Sequence, residues 1–332
     1  MAHILVTGGA GFMGSYFIKY MFRHHPYISI TNVDALTYAG NLSNVAEVSE
    51  YEQYTFYQAN ILDREKLEAI IKEQSIDTIV HFAAETHVDR SLIDPMQAVK
   101  TNVIGTGNIL ELATKYNLPM IHISTDEVFG SVLDPVTEEA PFHPSSPYSA
   151  GKAGGDLLCE AYHRSYGTKV IVTHACNIFG PYQYPEKVIP LFVTNLLEEK
   201  PLPVYGDGLN VREWMYVEDH SRAIEYLWEH GQYGEVYNIG TGDHKSNLDL
   251  TYNILDAFGY DKSWITYHED RKGHDRRYAL DSSKLRALGW APYYEFQDSL
   301  QYVIDWYKEN ADWWQPLRTR AQEYYKQQYK NI

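Results

Sequence analysis

Two groups of residues in this chain have the types and spacing for proton chemistry. Thr125-Asp126-Glu127 follows the apolar run 120–124, and Tyr148-x-x-x-Lys152 comes shortly after. A tyrosine and a lysine four apart share one face of a helix. There the ammonium would lower the pKa of a phenol that ordinarily titrates near ~10 and make it a usable base. Like charges held close push one pKa upward, so one of two adjacent carboxyls can stay protonated while the other is ionised. That pair suits removing one proton while supplying another, the requirement for expelling water. Thr125, at the end of its run, would hydrogen-bond a hydroxyl held by Tyr148.

These side chains must be positioned by elements that alternate along the first half of the chain. Residues 3–7 read as a buried strand, 8–14 as a glycine turn and 15–23 as a helix. Strands follow at 28–34, 54–59, 78–83, 120–124 and 170–174, with helices at 65–73, 99–116 and 148–166. Strands alternating with helices predict an α/β fold with a Rossmann-type, doubly wound parallel sheet. After Asn177, proline and glycine become frequent and the segments shorten. The expected division is an NAD-binding Rossmann domain over 1–177, with a strand near 235–240 returning to it. An interleaved, smaller mixed α/β substrate-binding domain is expected over 178–332. The polar, tyrosine-rich tail 322–330 would extend a terminal helix or fray.

Gly8, Gly11 and Gly14 have G-x-x-G-x-x-G spacing between the first strand and its helix. Glycine allows the sharp turn and the approach of backbone to a pyrophosphate lying at the positive helix end. Phe12 and Met13 fall inside the same turn. Asp34 ends the second strand, where a carboxylate accepts hydrogen bonds from ribose hydroxyls and repels a 2′-phosphate, so NAD is favoured over NADP.

The bulk properties exclude other classes. The net charge of −16, from 28 Lys and Arg against 44 Asp and Glu, argues against nucleic acid as a partner. Two cysteines, Cys159 and Cys176, make no disulfide framework and fit a reducing cytoplasm. The chain opens on a strand and a glycine loop, so neither a signal peptide nor a membrane span is expected. No metal site is expected.

The motifs resemble the extended short-chain dehydrogenase/reductase family, in its dTDP-glucose 4,6-dehydratase branch. The carrying stretches are TGGAGFMGS from Thr7, DALTYAGN from Asp34, FAAETHVDRS from Phe82, STDEVFG from Ser124 and PYSAGK from Pro147. GPYQYPEKVIP from Gly180, PLPVYGDGLNVREW from Pro201 and GHDRRYALD from Gly273 continue it. The resemblance implies a hydro-lyase using NAD on a nucleoside-diphosphate hexose, dTDP-glucose before others, in deoxysugar biosynthesis. C4 of the sugar would be oxidised with Tyr148 as base, supported by Lys152 and Thr125. Glu127 would then remove the C5 proton, and protonated Asp126 would donate to the departing C6 hydroxyl. Hydride would return to C6, regenerating NAD.

The resemblance also implies further site residues. Asn60, Ile61, Ala83, Ala84 and Thr101 would join the cofactor site. His87, Asn177, Lys187, Val188, Pro203, Tyr205, Arg212, Asn247 and His274 would hold the substrate. Among these, Lys187 and Arg212 carry the charge a diphosphate needs, and the Tyr205 ring suits a pyrimidine. Arg90 would touch the sugar or pair with Asp89 or Glu85. A homodimer through the helices 99–116 and 148–166 is the family's expectation.

Relatives usually place a second asparagine at Ile178, tyrosines at Phe129 and Phe179, a serine-like residue at Gly151 and an acid at Asn60. The lost phenols and amide would remove hydrogen bonds near the pocket and shift base and sugar selectivity. The alternatives are a dehydratase acting on a UDP-sugar, a 4-epimerase, or a non-catalytic sugar-nucleotide binder. A 4-epimerase needs no adjacent acid and base, so Asp126-Glu127 speaks against it. The intact Thr125, Tyr148 and Lys152 speak against the non-catalytic binder.

Overall fold

A computed structural model describes residues 2–270 and 273–328. The first half alternates as its periodicity demands: β1 (His3–Thr7), α1 (Phe12–His24), β2 (Ser29–Asp34), β3 (Tyr54–Gln58), α2 (Arg64–Gln74) and β4 (Thr78–His81). Then come α3 (Val88–Ile93), α4 (Pro95–Val99), α5 (Thr106–Tyr116), β5 (Met120–Thr125), α6 (Pro147–Tyr166) and β6 (Val170–Ala175). The later chain forms β7 (Asn177–Phe179), α7 (Val188–Leu197), β8 (Leu202–Tyr205), β9 (Val211–Tyr216), α8 (Val217–His230), β10 (Val236–Ile239), β11 (His244–Ser246) and α9 (Asn247–Phe258). It closes with β12 (Ile265–His268), α10 (Ser283–Leu288), α11 (Phe296–Glu309) and α12 (Ala311–Gln328).

The main sheet has seven strands in the order β10-β6-β5-β4-β1-β2-β3, and every pair is parallel. Helices cover both faces, so its central strands are almost wholly buried, with Ile4, Leu5, Val6, Ile79 and Val80 fully enclosed. The sequence order reverses direction between β1 and β4. A doubly wound sheet opens its ligand crevice at that reversal, beyond the carboxyl ends of the strands. Residues 177–268 supply two small sheets, β11-β9-β7 and β12-β8, that stand beside the crevice.

One helix departs from the pattern read in the sequence. Residues 99–116 were expected as a single α-helix. The helical segment instead begins at Pro95, capped by Asp94, and passes through a π-helical turn over Lys100–Gly105 before α5. The wider turn re-aims side chains that a regular helix would rotate away. Thr101 faces the crevice, and Asn102 exchanges two hydrogen bonds with the Glu85 backbone at 2.9 and 3.1 Å. The tail read as 322–330 is helical to Gln328, and its remainder lies outside the described residues.

Candidate functional site

The glycine turn makes the first half of a long cavity. Gly8 has φ +71°, and a Cβ there would fall 2.7 Å from the Ala83 nitrogen, so no side chain is tolerated. A Cβ on Gly14 would meet the Gly8 oxygen at 2.5 Å, which sets how closely α1 approaches the turn. Gly11 is the N-cap of α1 and offers no capping side chain, leaving the helix start open to an anion. Asp34 accepts from the amides of Ala10 (3.0 Å) and Leu36 (2.7 Å). Burial raises its pKa, and the N–H groups of Leu36, Ala10 and Gly11 pull it back. Phe12, Met13, Asn60, Ile61, Ala83, Ala84 and Thr101 line the same cavity, and Tyr148 and Lys152 close its far end. A tight glycine cradle at a helix start with a carboxylate one strand away fits a dinucleotide such as NAD.

At the far end, Thr125 terminates β5 and caps a short 3₁₀ turn, Asp126–Phe129. Its hydroxyl accepts from the Glu127 amide (3.3 Å) and donates to Asp126 Oδ1 (3.1 Å). The turn forces the two carboxyls apart in environment. Asp126 is buried, its Oδ2 has no hydrogen-bond partner among the described residues, and its pKa is raised well above the usual range. Burial is the main cause, followed by the charges of Glu127 and Glu213. Glu127 is half-buried and faces the cavity. The neighbouring carboxyls thus differ in the sense that acid–base chemistry needs, with Asp126 as the protonated member.

Tyr148 enters on the first turn of α6, which Ser146 and Ser149 close with a reciprocal capping box behind Pro147. The Tyr148 amide also donates to Ser91 Oγ (3.2 Å), tying that turn to α3. Lys152 was expected to lower the phenol's pKa. Here the Tyr148 pKa is instead raised well above its usual value, by burial first and then by the charge of Glu127. Lys152 donates its ammonium to the Ile123 carbonyl (2.6 Å), which anchors it on β5.

A second cavity opens from the first. His87, Asn177, Lys187, Val188, Pro203, Tyr205, Arg212, Asn247 and His274 all line it. Register explains part of this gathering: Asn177 on β7 pairs with Trp214 on β9, two residues beyond Arg212. The Arg212 guanidinium donates to the carbonyls of Val211 and Asp275, both at 2.8 Å, and lies 4.0 Å from the Tyr278 ring centroid. The cation is thereby held in one pose. Lys187 donates to the Thr86 carbonyl (2.7 Å). Glu127, Asn177, Glu186 and Lys187 line both cavities, so the two meet at Glu127, next to Asp126.

The structure also corrects several readings. Arg90 pairs with Glu186 (3.1 Å), and its guanidinium lies over the rings of Tyr38 and Tyr324, 3.6 and 3.9 Å from their centroids. Glu186 was missed; it is nearly enclosed and also stands 3.8 Å from His87. Its place in GPYQYPEKVIP was the available signal. Tyr278 and Asp275, inside GHDRRYALD, were missed too, although both line the second cavity. Arg276 pairs with Asp207 with both side chains more than half exposed, where solvent screens such a pair. Phe129 and Phe179 do not touch either cavity. Phe129 packs edge-on against His174 and Phe142, and Phe179 against Trp214, Tyr216 and Phe296. Of the buried departures, Ile178 alone lines a cavity. Gly151 lets α6 press on α4, since a Cβ there would lie 3.2 Å from the Ala98 carbonyl oxygen.

Strand order and site geometry together are those of an extended short-chain dehydrogenase/reductase. A family model described as GDP-mannose 4,6 dehydratase matches residues 5–303, and the chain belongs to that family. A dTDP-glucose 4,6-dehydratase of Streptomyces griseus is 47% identical over 320 residues, 95% of this chain and 97% of the relative. Its counterpart in Salmonella typhimurium is 42% identical over 358 residues, covering 98% and 99%. The crystal structure of dTDP-glucose 4,6-dehydratase from Bacillus anthracis in complex with NAD superposes with a TM-score of 0.90 at 46% identity, covering 96% of this chain and 100% of that one. A Thermotoga maritima UDP-glucose 4-epimerase is more distant, with a TM-score of 0.87 at 32% identity over 93% and 99%.

Proposed function

We propose that this protein is an NAD-dependent hydro-lyase that converts dTDP-glucose to the 4-keto-6-deoxy sugar nucleotide. The observation that carries the reading is the junction of the two cavities, where Glu127 and the buried Asp126 stand with Thr125 and Tyr148. NAD, when bound in the glycine-lined cavity, supplies a hydride acceptor and a cationic ring. The chain does the remaining work. Tyr148 takes the proton of the C4 hydroxyl, which Thr125 holds. The resulting ketone acidifies C5, Glu127 removes that proton, and Asp126 delivers its own to the C6 oxygen as water leaves; Glu127 then gives the proton back to C5 as the hydride taken from C4 is returned at C6. Arg212 and Lys187 neutralise the diphosphate, and Tyr205 offers a face to the base. The enclosed Asp126 favours dehydration over 4-epimerisation, because an epimerase has no use for a protonated acid beside a base.

Incubation with dTDP-glucose, UDP-glucose and GDP-mannose in parallel tests the reading. The dTDP sugar should be consumed fastest, giving a product lighter by one water with no net cofactor reduction. A product of unchanged mass that is only the 4-epimer would overturn it.

A reducing cytoplasm would suit the two cysteines, both buried and free. No helix among the described residues is long and apolar enough to cross a membrane. The chain pairs with a second copy through α5, α6 and the π turn between α4 and α5. Ile104, Leu157 and Tyr166 are each more than half exposed there, an apolar surface that a four-helix contact would cover. Sedimentation at micromolar concentration should show a dimer, and a monomer throughout would refute this pairing.

A further inference from the structure

Beneath Lys152 lies a buried polar cluster to which the activity above assigns no task. Lys152 is 3% exposed, and its ammonium donates to a neutral carbonyl, that of Ile123. A buried ammonium with neutral partners alone tends to give up its proton. One helical turn further along α6, on the same face, stands Asp156. Three side chains from two strands surround its carboxylate. Ser124 Oγ donates to Oδ2 at 2.8 Å, His174 Nε2 lies 3.3 Å from Oδ2, and His122 Nε2 lies 3.3 Å from Oδ1. All four residues are buried. Behind them the His122 ring stacks on His81 at 5.3 Å, and His81 is held by the hydroxyls of Thr7 (2.6 Å) and Thr106 (3.2 Å). Phe129 and Phe142 wall off His174.

The charges facing this cluster can be counted by element. On α6 they are Lys152, Asp156, the Cys159 thiol and Tyr148. The strands β4, β5 and β6 bring His81, His122 and His174, and the turn after β5 brings Asp126 and Glu127. Burial pushes His122 down to about 4 and His81 well below its usual value, so both rings are neutral near pH 7. Burial pushes the Cys159 thiol up, and it stays protonated. The Asp156 carboxyl is held below its ordinary range by His122 and His174, against the opposing effect of its own burial. Burial lowers the Lys152 pKa, and Asp156 is the first group opposing it. The same negative charge raises the phenol of Tyr148.

We propose that Asp156 is a positioning residue for C4 oxidation: fixed by Ser124, His122 and His174, its carboxylate is the counter-charge that keeps Lys152 an ammonium and sets the pH window in which the Tyr148–Lys152 couple works. This inference rests on the proposed activity for its kinetic readout. The alternative is a staple that merely ties α6 to β5 and β6.

Asp156→Asn separates the two. Losing one negative charge makes both Lys152 and Tyr148 easier to deprotonate. Both limbs of the pH profile for reduction of bound NAD by dTDP-glucose should therefore move to lower pH, by about one unit. Asp156→Glu keeps the charge and should restore the limbs. A staple would instead lower the melting temperature and the amplitude while both limbs stay in place, which overturns the proposal. If Asp156→Asn does not fold, the unsubstituted enzyme can still refute the proposal. With carboxyl-labelled aspartate, the Asp156 resonance should show no protonation step between about pH 5 and pH 9; a step in that range overturns the proposal. This second measurement needs no substrate, so it stands or falls separately from the sugar panel.

Discussion

Tyr148→Phe is expected to slow oxidation at C4 by two to four orders of magnitude, about the contribution of a positioned acid–base group, while leaving nucleotide-sugar binding nearly unchanged. The phenol lies at the closed end of the glycine-lined cavity, on a helix turn fixed by Ser146, Pro147 and Ser149. Removing its oxygen leaves the ring packing intact, so the loss reads out the proton transfer alone. Burial and the Glu127 charge oppose ionisation of Tyr148 in the bare chain. The phenolate therefore depends on the positive charges about it, which makes the site sensitive to cofactor occupancy. A single-turnover measurement of cofactor absorbance after mixing with dTDP-glucose gives the rate. A rate equal to that of the unsubstituted enzyme would strip Tyr148 of its role as base.

Glu127→Gln should have a comparable effect at a different step. The amide is nearly isosteric, and the half-buried position costs little to neutralise, so folding and C4 oxidation should persist. Proton removal from C5 should fall by about 10²–10⁴-fold. Enzyme-bound reduced cofactor and a ketohexose that still carries its C6 hydroxyl should then accumulate together. Mass analysis of the quenched mixture distinguishes this from the Tyr148 variant, in which neither forms. Full turnover by the Gln variant would refute the role. The asymmetry of the pair supports the assignment, since the raised pKa belongs to Asp126, which burial and the Glu127 charge keep protonated. Exchanging the two roles would require ionising the more enclosed carboxyl, the costlier choice.

Local patterning was enough for several features that a single turn or strand end controls. The spacing of Gly8, Gly11 and Gly14, the acid at the end of β2 and the four-residue step from Tyr148 to Lys152 follow from turn sterics and helix periodicity, and both operate within a few residues. They specified a parallel, doubly wound sheet and the reacting ends of its strands. Other features depend on which distant segments meet, and only the packed chain decides those. Asp126 becomes the enclosed carboxyl because the turn capped by Thr125 folds it inward. Arg90 finds Glu186 ninety-six residues away, Phe129 and Phe179 enter the core instead of the pocket, and a π turn re-aims Thr101. Asp156 meets side chains from β5 and β6 through the strand order of the sheet. Burial and long-range charge pairing set the protonation states here, and neither is encoded in the spacing of neighbours along the chain.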